Sequence, residues 1–235
     1  AEDERPTPLL AAVGRSREDA GQLTLEFEAA GIRSFLSCAG GPRPPRPVPA
    51  ALPAFQVGLL SGMLQSAAVG RDVCLIGPRG EGKTYLARCF SACLGHADVE
   101  TFFLFEDMTA RDLFQRRSTN TRGESTWEPS PLVTAMRLGR LCVLDGLQRL
   151  PAGTLAALVQ LAQDREVSLY NGARFVSPRR WAQLRALPGF TPPALEARGI
   201  HLLHPSFRLL GLAAPPDGAG RCWLSSEVMQ LFHFF

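Results

Sequence analysis

The chain has 235 residues, of which 46% are hydrophobic and 20% charged, a balance that makes a folded globular protein with one sizeable core and an appendage the default. Its formal net charge of +3 is too small to argue for nucleic acid or an anionic membrane as partner. No uninterrupted apolar run reaches the roughly 18 residues that a membrane span needs.

The sequence begins at Ala1 and shows no apolar core of a secretory signal, which leaves a processed chain or a fragment, and a cleaved targeting peptide, open. Residues 1–39 form a small partial β segment. Within it, Leu23-Thr-Leu-Glu-Phe-Glu28 alternates apolar and polar residues as a half-buried strand does. Residues 40–54 are a Pro-rich linker: Gly40 to Pro49 holds five prolines, which exclude a helix or a central strand and predict an extended segment. A ligand for proline-binding modules is the alternative there.

Residues 55–235 read as an α/β domain. Phe55, Leu59, Leu60, Met63 and Leu64 predict a helix over 55–69. Val73-Cys-Leu-Ile76 is a short apolar run that suits a strand buried on both faces. A helix is expected from Lys83 to Leu94, a strand over Thr101–Phe105, and another over Leu141–Leu144 that ends at Asp145. Pro151 to Gln163 predicts one helix, with Pro151 in its first turn and Leu155, Leu158, Val159 and Ala162 on one face. Val167–Val176 carries Asn171-Gly172, a type I′ hairpin signal. Phe207–Ala213 is the fourth sheet strand. Alternating strands and helices predict a mainly parallel sheet flanked by helices.

The cysteines are Cys38, Cys74, Cys89, Cys93, Cys142 and Cys222. Cys74 and Cys142 fall inside apolar strands, where a thiol acts as a small core residue. Cys89 and Cys93 have a spacing that could hold two metal ligands, but no nearby Cys/His pair completes a zinc set. The pattern fits a reducing compartment.

The basic residues say more. Of the 25 Lys plus Arg, only Lys83 is a lysine. It ends Gly77-Pro78-Arg79-Gly80-Glu81-Gly82-Lys83-Thr84, which fits G-x-x-x-x-G-K-[ST] with a strand before it and a helix after it. In such a P-loop the glycines let the backbone wrap phosphates, and the loop N–H groups and helix N-terminus face the anion. Lys83 is expected on the β- and γ-phosphates, and the Thr84 hydroxyl on Mg²⁺. Asp145 ends a strand about sixty residues downstream, where a second magnesium-facing carboxylate and catalytic residue belongs. The next residue, Gly146, has no side chain with which to polarise water, and Gln148 and Glu166 are the nearby polar candidates. A GTPase is the third option, but no Asn-Lys-x-Asp motif occurs.

The P-loop is joined by Phe105-Glu-Asp-Met-Thr-Ala-Arg-Asp-Leu113, Leu144-Asp-Gly146, Thr154-Leu-Ala156, Asp164-Arg-Glu-Val-Ser-Leu-Tyr-Asn-Gly172 and His204-Pro-Ser-Phe-Arg208. Together these strings resemble a dynein-related, MoxR-like AAA+ module over roughly residues 55–235. The resemblance implies an ATPase that uses ATP and Mg²⁺, other AAA+ modules or subunits as partners, and a mitochondrial matrix setting. The hairpin around Asn171-Gly172 would match an insertion of this branch. Three departures stand out: Gly146 replaces the usual Glu, Ala214 falls at a sensor position usually Asn, and Leu231 precedes Phe232 where an arginine finger is usual. The helical lid of such modules is absent before Phe235, so a fragment or short form of a larger protein is expected. Missing catalytic side chains leave a non-catalytic, nucleotide-stabilised module as the alternative to an ATPase.

Overall fold

The computed structural model of the chain describes residues 8–15, 21–96, 98–119, 121, 123–216 and 223–235. Cys222 lies outside the described residues. The chain opens with an antiparallel sheet of β1 (Leu9–Arg15), β2 (Gln22–Ala29) and β3 (Ile32–Ala39), with β2 in the middle. Leu23, Leu25 and Phe27 point inward from β2, as its alternation predicts. Ala30 (φ 50°) and Gly31 (φ 76°) turn β2 into β3 with both central residues left-handed, the geometry of a type I′ hairpin.

Helix α1 (Ala54–Ala68) follows the proline segment. Leu60, Met63, Leu64 and Ala67 form its buried stripe, whereas Phe55 is 70% exposed and lies outside it. The β1 backbone is tied to this helix: Leu10 N–H donates to Ser61 Oγ at 2.8 Å. One core contains Leu23, Leu25 and Phe27 together with α1, so the small sheet is packed onto the rest of the chain.

Strand β4 (Val73–Ile76) leads through the glycine loop into α2 (Lys83–Cys93). Then come β5 (Val99–Phe103), α3 (Ala110–Phe114), β6 (Gln115–Thr119), β7 (Ser125–Pro129), α4 (Pro131–Leu138) and β8 (Leu141–Asp145). A 3₁₀ turn at Leu147–Arg149 precedes α5 (Ala152–Ala156), α6 (Val159–Asp164), β9 (Val167–Ser168) and β10 (Arg174–Val176). The chain continues through α7 (Pro178–Arg185), α8 (Pro192–Ala197), β11 (Ile200–Leu202), β12 (Arg208–Ala213), α9 (Ser226–Met229) and β13 (His233–Phe234).

The central sheet is parallel throughout, in the order β13-β4-β12-β8-β5. Its two faces fill two cores. Cys74, Cys142, Leu144 and Leu209 pack on one side, and Val73, Leu75, Val143 and Leu210 on the other. Burial on both faces explains why these strands are unbroken apolar runs. Cys38, Cys74, Cys89, Cys93 and Cys142 are free thiols, all buried. Burial pushes Cys74 and Cys93 up to about 12.

Local expectations shift where tertiary contacts intervene. β5 covers Val99–Phe103 rather than Thr101–Phe105, because its partner β8 ends at Asp145, which pairs with Phe103. The helix expected over Pro151–Gln163 divides into α5 and α6. Between them Ala157 N–H and Leu158 N–H bond three residues back, to Thr154 O and Leu155 O, a tightened turn. The Asn171-Gly172 hairpin exists, but Gly172 has φ 87° while Asn171 is not left-handed. Gly172 N–H reaches Leu169 O at 3.1 Å. That excludes type I′ and fits a type I turn followed by a left-handed glycine.

Candidate functional site

Gly77–Gly82 connects the carboxyl end of β4 to the first turn of α2. Gly80 (φ 94°) and Gly82 (φ 81°) take backbone conformations that side chains disfavour. A Cβ on Gly77 would stand 2.8 Å from the Glu81 carboxylate, which would have to swing aside. Pro78, Arg79, Gly80 and Glu81 are exposed along its outer edge. No side chain caps the N-terminus of α2, which leaves first-turn N–H groups facing the loop concavity. Lys83 folds back across that concavity. Its Nζ donates to the carbonyls of Gly77 and Pro78, each at 2.6 Å. Thr84 is exposed one residue further along the helix.

Asp145 lies at the same sheet edge. Ala213 of β12 pairs with Ile76 of β4, while Leu212 pairs with Asp145 of β8. Two strand spacings therefore separate the end of β4 from Asp145, about 10 Å. Backbone bonds to β12 lock both sides: Gly77 N–H donates to Ala213 O (3.2 Å) and Gly146 N–H to Leu212 O (2.9 Å). The half-buried Asp145 carboxylate has no ion-pair or hydrogen-bond partner among the described residues. An oxygen-only pair of Thr84 hydroxyl and Asp145 carboxylate suits a hard cation such as Mg²⁺, which keeps waters as its other ligands.

The residues around this pair are less suited to activating water. Gly146 has φ 96°, and a Cβ there would meet Arg149 Cδ and Leu104 O, each at 3.3 Å. Arg149 Nη1 donates to Leu104 O at 3.3 Å, so the arginine lies across the turn where other modules place a glutamate. Gln148 stays at this edge, where its Oε1 accepts from Ala214 N–H at 3.2 Å. Glu166 does not. It pairs with Arg174 (2.7 Å), and its neighbour Arg165 pairs with Asp72 at the opposite, amino edge of β4. Leu231 and Phe232 are buried in the core, 4% and 5% exposed, so neither reaches toward another subunit.

A cleft of about 280 Å³ adjoins the loop, lined by Phe55, Gln56, Leu59, Ile76, Lys83 and Phe235 among others. Its role is not legible in the sequence. Phe55 looked like a core position, and Phe235 joins the cleft only through β13 pairing, where Ile76 N–H donates to Phe235 O (2.8 Å). No local pattern links two aromatic residues so far apart in the chain. A larger concavity, about 540 Å³, is elsewhere, between Gly70–Asp72 and Met229–His233 at the amino edge. Among the described residues, no group of three or more His, Cys, Asp or Glu side chains could hold a metal, and no helix is long and apolar enough to cross a membrane.

Fold and loop together define the class: a P-loop domain on a parallel sheet with helices on both faces. Residues 72–232 match the model of the AAA domain (dynein-related subfamily), and the chain belongs to that family. It is 46% identical over 178 residues to mouse (Mus musculus) von Willebrand factor A domain-containing protein 8, covering 75% of this chain but 9% of that protein. Protein NorQ of Paracoccus denitrificans is 31% identical over 53% of the chain and 43% of its own length. Protein CbbQ of Hydrogenophilus thermoluteolus is 33% identical over 40% and 34%. The chain thus spans less than half of each of these relatives. A solved candidate ATPase from Cytophaga hutchinsonii shares the fold, with a TM-score of 0.50 and 17% identity over 74% of this chain and 43% of that one. The molecule is therefore an AAA-type ATPase domain, a class built to bind nucleotide.

Proposed function

We propose that this domain binds Mg-ATP, hydrolyses it in the intact assembly and passes its nucleotide state to neighbouring subunits. The observation that carries the reading is the shared sheet edge, where an uncapped helix start, a glycine loop and a partnerless carboxylate converge through β12. Loop N–H groups from Arg79 to Gly82 and the Lys83 ammonium hold phosphates, which replace the two loop carbonyls now bound by Lys83. Thr84 and Asp145 hold Mg²⁺, which neutralises phosphate charge when bound. The apolar cleft of Phe55, Leu59 and Phe235 takes the base.

Turnover belongs to the intact assembly. Neighbouring AAA+ modules or subunits supply what this chain does not, and a mitochondrial setting is part of the same proposal. A second reading, a module that binds nucleotide without hydrolysing it, is favoured by one observation: Gly146 is left-handed and Arg149 covers it. The purified chain decides both. Fluorescent ATP should bind, and Asp145→Asn should weaken binding with Mg²⁺ by about tenfold while leaving metal-free binding nearly unchanged. Turnover should stay well below about 1 per second. Equal losses with and without Mg²⁺ remove Asp145 from the metal. Absence of ATP binding removes the whole reading.

A further inference from the structure

Gly146 and Arg149 form a pair at the carboxyl edge. Arg149 N–H donates to Gly146 O at 2.9 Å, which closes the 3₁₀ turn and folds the arginine back over the glycine. Its Cδ and Nε lie 3.3 and 3.4 Å from where a Gly146 Cβ would stand. The arginine stem thus takes the space that a side chain at 146 would enter. Where other modules carry a carboxylate next to the strand-end Asp, this chain presents a guanidinium. A guanidinium has donors only and cannot take a proton from water. What it can do at this edge is bind negative charge.

That charge is scarcely engaged. Among the described residues the Arg149 side chain makes one hydrogen bond, from Nη1 to Leu104 O at 3.3 Å, longer than an ordinary N–H···O bond. No carboxylate pairs with it among the described residues, and the side chain is exposed. Leu104 is anchored beside the strand end, because its N–H donates to Asp145 O at 2.8 Å. In the sheet order, Lys83 therefore stands on the β4 side of Asp145, and the Leu104 contact of Arg149 on the β5 side. Loop amides on the β4 side hold the inner phosphates, so the terminal phosphate is the one that reaches toward Asp145. A planar arginine fork takes two phosphate oxygens at once, whereas Leu104 O offers a single long bond, so phosphate displaces the carbonyl.

We propose that Arg149 reads the terminal phosphate of the bound nucleotide, so that the site holds a nucleoside triphosphate more tightly than the diphosphate. This rests on the nucleotide-binding reading of the P-loop. With ADP the guanidinium stays on Leu104 O; with ATP it crosses Gly146 toward Asp145. Glycine at 146 keeps that path open. The test measures ATP and ADP affinities of the purified chain by calorimetry, with Mg²⁺ and again with EDTA. The natural chain should prefer ATP in both. Arg149→Gln should weaken ATP binding by about tenfold and ADP binding by less than about twofold. Arg149→Lys, which keeps the charge without the fork, should recover part of the ATP affinity. A urea titration of each variant reads stability separately, and a purely structural arginine would lower it together with both affinities, which overturns the proposal. Binding of neither nucleotide by the natural chain removes the nucleotide reading and this inference with it. Binding of both without preference for ATP, a preference unaltered by Arg149→Gln, or one that vanishes in EDTA overturns the role of Arg149 and leaves the nucleotide reading standing.

Discussion

The two edges of the central sheet handle their polar groups in opposite ways. At the carboxyl edge, the glycine loop leaves helix N–H groups uncapped, and Asp145 stands without a side-chain partner among the described residues. At the amino edge, the principal charges are engaged with partners, and Arg208 Nε is a buried exception. Asp72, whose side chain is 1% exposed, accepts Leu209 N–H at 2.9 Å and pairs with Arg165 at 2.8 Å. Arg165 also donates to Gly70 O at 3.0 Å, and the buried Arg208 bonds Pro205 and Phe207 carbonyls. The difference separates two uses of charge. Satisfied charges at one edge hold the sheet together, whereas open ones at the other wait for a ligand.

Breaking the closed edge should give the largest effect. Asp72→Ala leaves the partly buried Arg165 without its ion pair, removes a favourable charge near the buried Arg208 and frees the Leu209 N–H, so a loss of about 3 kcal/mol in urea unfolding is expected. ATP affinity of the folded fraction should not change. A loss below about 1 kcal/mol would mean that Asp72 does not hold the edge.

A further contribution to stability lies at His96, just beyond the C-terminal end of α2. Burial first, then the Arg208 charge, pushes His96 down to about 4 from 6.5. The unfolded chain therefore takes up a proton at this residue before the folded one does. Stability is full above about pH 6.5 and falls as pH drops toward 4, by up to about 3 kcal/mol. Thermal melts across that window should show the slope, and His96→Gln should flatten it. An equal slope in both proteins would assign the effect to other groups.

At the open edge the expectation reverses. Lys83→Ala should reduce ATP affinity by about 2–3 kcal/mol, because a charge-assisted phosphate contact is lost. Its unfolding midpoint should barely move, since Lys83 bonds only loop carbonyls. Loss of stability together with unchanged affinity would invert the comparison. The smallest effect sharpens it: Gly146→Glu supplies the side chain other modules have, yet at φ 96° it should be destabilising by about 1–2 kcal/mol. Turnover should not rise, because Arg149 fills the space. A clear gain in ATP turnover would show that the turn can relax.

Residues close in sequence were legible before the fold was known. The P-loop, its flanking strand and helix, and Asp145 at a strand end all follow from local pattern, because a phosphate-binding turn must be built from adjacent residues. Other features escaped that reading. The hairpin of β6 and β7 is mostly polar and exposed on both faces, so it carries no apolar alternation. Strand β3 has most of its residues exposed, and it was missed for the same reason. The type I′ turn fell on Ala30-Gly31 rather than Asn171-Gly172, since strand pairing on either side, not the dipeptide alone, selects the turn.

What the amino-acid order determined by itself was the chemistry of one loop: three glycines, one lysine and one threonine, contiguous and bounded by a strand and a helix. Tertiary structure decided the partners of that loop. It set Asp145 two strands away, sent Glu166 to the other edge, buried Leu231, and closed the proline segment over α2. The physical reason is range. Backbone conformation and phosphate-binding geometry are written in neighbouring residues, whereas burial and charge pairing depend on which strands lie side by side, and parallel strands are joined only through long crossovers.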